Sequence, residues 1–132
     1  MAGNQHTKKR QAVKYFLSLI AALLLIPGCA PRIAPGADPL VVRAEELAER
    51  ASESMDAFVL WEYKNRPALN KDITAAADLV REFGPKYLTQ LREATKLYKF
   101  SKTQPDADKV KSAMATLQLL LDQAREYYLK GG

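Results

Sequence analysis

Residues 103–130 read TQPDADKVKSAMATLQLLLDQAREYYLK. Thr103 is suited to cap a helix, Pro105 needs no donor in a first turn, and Asp106 and Asp108 complement the positive end of the helix dipole. Behind them Val110, Met114, Leu117, Leu121, Ala124 and Tyr128 recur in alternating steps of four and three. That spacing keeps one apolar seam on one side of a helix, and Ala113 and Leu120 broaden it. The pattern predicts a helix over about 104–130, ended by Gly131-Gly132. A single apolar stripe has to be buried against other elements. The fold therefore depends on what the preceding residues supply.

They supply two more stripes of the same kind. Upstream, Ile73, Ala76, Val80, Phe83, Tyr87, Leu91, Ala94 and Tyr98 predict a helix over about 70–100, starting near Asn70 or Asp72. Gly84-Pro85 interrupts this stretch, but the stripe stays in phase across it, which favours one kinked helix over two short ones. Earlier still, Asp38 is a good N-cap and Pro39 suits the first helical position. Val41, Ala44, Ala48, Ala51, Met55 and Phe58 follow, with Leu40 and Leu47 widening the face, and predict a helix over about 39–64. Arg66-Pro67 should end it, because proline disfavours helical geometry in the residue before it. No segment alternates with a period of two. The expected fold is all-α, an up-down-up antiparallel three-helix bundle over 39–132.

Ahead of the bundle, APRIAPGADP at 30–39 contains three prolines and predicts an extended tether reaching roughly 30 Å. Ahead of that, YFLSLIAALLLIPGC occupies 15–29. Its mostly apolar run, 15–26, has the length of a signal-peptide h-region and falls short of the roughly 20 residues that cross a bilayer core. Lys8, Lys9, Arg10 and Lys14 form a positive n-region within 1–14. Pro27 and Gly28 break the helix before Cys29.

Ile26-Pro27-Gly28-Cys29 resembles the lipobox of bacterial lipoprotein precursors, an apolar residue and two small positions before a cysteine. The resemblance covers the first 29 residues. It implies cleavage between Gly28 and Cys29, removal of 1–28 as a signal peptide, and acylation of the Cys29 thiol. Residues 29–38 would then be the lipidated cysteine and its tether. It also implies, from Ala30 standing where retention signals usually carry Asp, an outer-membrane position facing the periplasm. Two other readings of the same residues remain open: an ordinary cleaved signal, and an uncleaved single-pass anchor in the inner membrane.

Charge and composition narrow the function. The net charge of +5 is misleading. Four of the 20 basic residues precede Cys29 and none of the 15 acidic ones does, so the chain from Cys29 onward carries +1. The high pI is thus no argument for a nucleic-acid partner, and none is expected. One cysteine excludes an intramolecular disulfide. The one histidine, His6, lies within the signal region. Histidine-dependent catalysis and ordinary zinc sites are accordingly not expected, nor is a cofactor. Glu45, Glu46, Glu49, Glu53 and Asp56 read as a solvated acidic face, and Lys86, Arg92, Lys96, Lys99 and Lys102 make the second half of the second helix basic, a positive strip also read as solvated.

No constellation names a reaction, so an enzyme is not expected. The expected function is a non-catalytic cell-envelope lipoprotein, a scaffold or adaptor binding another protein, with Trp61, Tyr63, Arg66 and Leu119 as its candidate partner surface. The alternative expectation is an uncleaved single-pass membrane protein, of phage or cellular origin, whose helical domain oligomerises.

Overall fold

The computed structural model describes residues 33–131. The n-region, the h-region, the lipobox-like residues and Cys29 lie outside these. Three helices account for nearly all of the described chain: α1 (Pro39–Asn65), α2 (Lys71–Ser101) and α3 (Gln104–Gly131), with a short 3-10 turn at Arg66–Ala68 between the first two. No strand occurs among the described residues. The fold is the expected three-helix bundle. Its longest helix has 31 residues and spans about 45 Å.

The starts of α1 and α2 are set by side chains named from the sequence, whereas the Thr103 hydroxyl ahead of α3 donates to Asp106 Oδ2 at 3.1 Å. The Asp38 carboxylate accepts from Leu40 N–H at 3.0 Å, with Pro39 at the first position of α1. Asn70 caps α2, its side-chain oxygen accepting from Ile73 N–H at 3.0 Å. At the far side of α2, Lys102 adopts a left-handed conformation (φ 53°) and returns its N–H to Tyr98 C=O at 2.9 Å. That is the geometry of a helix C-cap, taken here by a residue other than glycine. The tether is less extended than its prolines suggest. Ala37 N–H bonds Ala34 C=O at 3.0 Å, with Gly36 at φ 86°. Pro35-Gly36 thus sits at the centre of a tight turn, where only the second residue needs a positive φ.

The core of α1 is the predicted stripe, with Val41, Ala44, Ala48, Ala51, Met55 and Phe58 all buried. In α2 the stripe drifts. Phe83, Tyr87, Ala94 and Tyr98 are only half-buried, and Ala77, Gly84, Leu88 and Thr95 are buried instead. Ala76 stays buried as predicted, and the rest of the buried set, 73, 77, 80, 84, 88, 91, 95, repeats every eleven residues. A strict seven-residue reading slips around a helix of 3.6 residues per turn, and over 31 residues that slip is enough to exchange one face for its neighbour. In α3 the same correction promotes Leu120 and Ala107 to the core and leaves Met114 and Leu121 half-buried.

α2 is the central helix. It packs most extensively on α3, then on α1, and α1 and α3 meet least. Gly84 leaves room for Met55 of α1, because a Cβ there would stand 2.7 Å from Met55 Sδ. The helix continues through Gly84-Pro85 without a chain reversal. Pro85 leaves Arg81 C=O without its intrahelical donor.

Candidate functional site

Because the helices are antiparallel, the end of α1, the start of α2 and the end of α3 come together at what is here called the far end. The chain enters at the opposite, near end, where Asp38 meets Lys102.

The far end is built around Glu62. Steps of three and four from Ala44 through Phe58 put Glu62 in phase with the core stripe, and its side chain is 0% exposed. A buried carboxylate needs a partner. Arg81 on α2 supplies it, donating from Nη2 to Glu62 Oε2. Arg66, one turn beyond Glu62, brings its Nε to 3.4 Å from Oε1, an ion-pair distance without hydrogen-bond geometry. Asp78 closes the ring, with Arg81 Nη1 at 2.8 Å and Arg66 Nη2 at 3.4 Å from its Oδ1. Two carboxylates and two guanidiniums therefore neutralise one another, and they graduate outward from the buried Glu62 to the exposed Asp78. Arg81 is held charged above its usual range, first by its bond to Glu62.

Beside this ring lies an aromatic cluster. Phe58 and Tyr128 meet edge to face at 6.0 Å between centroids, and Trp61 meets Tyr128 the same way at 5.5 Å. This cluster is the main link between α1 and α3 at the far end. The Tyr128 hydroxyl is buried without a hydrogen-bond partner, and burial pushes its acidity upward in pKa. Outside the cluster Leu60 and Tyr63 are exposed, Tyr63 by 72%, on neighbouring turns of α1. Tyr127 and Leu129 are exposed on α3 at the same end.

The four residues proposed as a partner surface do not form one patch. Tyr63 is on the surface, Trp61 is half-buried in the aromatic cluster, and Arg66 is engaged with Glu62 and Asp78. Leu119 is exposed on α3, but nine residues from Tyr128 places it half a rotation away, on the opposite side of that helix. The residues that sequence reasoning overlooked are Glu62, Asp78 and Arg81. The available signal was the core phase of Glu62; the sequence gives no sign that Arg81, nineteen residues on, would meet it.

The near end is held by open ion pairs. Lys102 Nζ lies 2.9 Å from Asp38 Oδ2 and 4.9 Å from the Tyr98 ring centroid. The bond from Lys102 lowers the Asp38 pKa, and Asp38 in turn raises that of Tyr98. Asp106 is held at about 2, chiefly by bonds from Ser101 and Lys109. Lys99 pairs with Glu45, joining the predicted basic strip to the predicted acidic face.

Between those faces runs an open groove of about 480 Å³, walled by Glu45 and Glu49 on one side and Arg92, Lys96 and Lys99 on the other. Its floor is Ala44, Ala48, Leu91 and Thr95. The Thr95 hydroxyl is already committed to Leu91 C=O at 2.7 Å, so the groove floor offers no activated nucleophile. Among the described residues, no cluster of three or more His, Cys, Asp or Glu side chains is arranged to hold a metal ion. Among the same residues, no helix is long and apolar enough to cross a membrane. Comparison with protein-family models, with curated proteins and with solved structures finds no match to this chain.

Proposed function

We propose that this protein is a non-catalytic lipoprotein of the bacterial cell envelope, anchored through Cys29, whose helical bundle holds out its far end to another protein. The reading rests on one juxtaposition. The chain arrives from the lipobox-like Cys29 at the near end, and the exposed Leu60–Tyr63 pair stands at the other, roughly 33 Å along α1. Aromatic residues on a rigid helix lose little freedom on binding and are favoured at interfaces. The Glu62 ring and the aromatic cluster fix the last turns of α1 that carry them.

The anchor is tested by the intact mass of the protein recovered from membranes, beside Cys29→Ser. A chain beginning at Cys29 with added acyl mass, lost in the variant, is expected. A full-length unmodified chain in the membrane would overturn the lipoprotein reading in favour of a single-pass anchor. A shortened unmodified chain in the soluble exported fraction would overturn it in favour of simple secretion.

A further inference from the structure

We infer that the near end of the bundle lies against the bilayer, with Phe100 and Leu97 inserted among the lipid headgroups. Phe100 is 82% exposed, the most exposed large apolar side chain among the described residues, and Leu97 is exposed beside it. Three residues apart on α2, they are neighbours on its surface. They stand at the last turn of that helix, immediately before the Lys102 cap, and Lys102 Nζ is bound to Asp38 at 2.9 Å. The chain leading from Cys29 thus joins the bundle at the same end as Phe100, on the other side of α2 from it.

The occupant follows from the length of that chain. Eight residues separate Cys29 from Asp38, and the turn at Ala34–Ala37 shortens their span to under about 30 Å. With Cys29 acylated, the surface that this end meets at all times is the one its own anchor is buried in. Such tethering raises the effective concentration of the surface to the millimolar range, where a contact of two side chains is enough to orient the domain. Aromatic side chains favour the headgroup layer, and lysines beside them extend their ammonium groups towards phosphate. Lys99 and Lys102 are each paired with a carboxylate of α1 or its cap, so the contact depends on the apolar pair more than on net charge. This inference rests on the anchor proposed above.

The test uses the full protein recovered from membranes and reconstituted in phosphatidylcholine vesicles, with and without acyl chains brominated near the headgroup. Trp61 is the only tryptophan and stands at the far end. It serves as the reference, and Phe100→Trp with Trp61→Phe moves the reporter to the near end. Brominated lipid is expected to quench the reporter at position 100 by roughly twofold and to leave native Trp61 unchanged, as an interfacial indole requires. Phe100→Trp alone, which keeps the aromatic cluster intact, should show the same added quenching. The sample's intact mass separates two failures. Acylated protein whose reporter at position 100 is not quenched overturns this inference and leaves the lipoprotein standing; the same holds if that reporter is shielded by a protein partner or a second copy instead. Protein without the acyl group overturns both.

Discussion

At the far end of the bundle a carboxylate with no exposed surface is held between two arginines, and at the near end each charged pair stands open to water. Both ends pair carboxylates with cations, arginines at the far end and lysines at the near end. Burial is the difference that bears on stability. Glu62 cannot recover hydration if it loses Arg81, so that pair constrains the fold. Lys99 and Glu45, both about half exposed, can separate at little cost because water replaces each partner. The contrast also divides the labour of the molecule: a rigid end, where the last turns of α1 are locked to α2 and α3, and a softer end, where the chain enters and the caps meet.

The largest expected effect comes from removing the cation and leaving the buried anion. Arg81→Ala should lower the unfolding free energy by about 3 kcal/mol in urea titration, since Glu62 retains only the looser Arg66 contact. Glu62→Gln should cost less than Arg81→Ala, because both arginines left behind reach water. Equal losses would mean that the ring is not organised around the buried carboxylate. Next, Tyr128→Phe should stabilise the protein by about 1 kcal/mol, because it deletes a buried hydroxyl that has no partner and keeps the ring against Phe58 and Trp61. A loss of similar size would show that the hydroxyl is bonded in solution.

At the near end the effects should be small. Lys99→Ala should change stability by no more than about 0.5 kcal/mol. A larger loss would erase the distinction between the ends. The smallest effect is in acid. Asp106 is held at about 2, below its unfolded value, so its contribution is fully present above about pH 4 and is lost as the pH falls towards 2. Asp38 is lowered as well and acts in the same direction. Thermal midpoints between pH 7 and 2 should be level down to about pH 4 and then fall. Asp106→Asn should flatten part of that fall.

The bundle itself could be read from spacing, caps and breakers. Asp38, Pro39, Asn70 and Pro67 set boundaries because each acts on backbone within three residues of itself, a local effect visible in a linear string. Which residues of α2 face the core was harder, because a seven-residue period and the true helical period agree over two turns and part over eight. The Glu62 ring was harder again. Its core phase was visible, but its partners come from α2, and nothing along the chain shows which residues two packed helices will bring together. For the same reason Leu119 could be placed with Trp61 in sequence terms although their helices turn them to different sides. The proposed anchor is the reverse case. Its residues are contiguous, so the lipobox-like tetrapeptide is legible without any fold.

The division between the two ends is tested most directly by placing the same photoreactive amino acid at Tyr63 and, separately, at Leu97 in cells that make the acylated protein. Irradiation should give a discrete protein adduct from position 63 and a lipid adduct from position 97. A protein adduct from position 97 with none from position 63 would contradict the assignment, and the bundle would then be facing its partner with the end at which the chain enters.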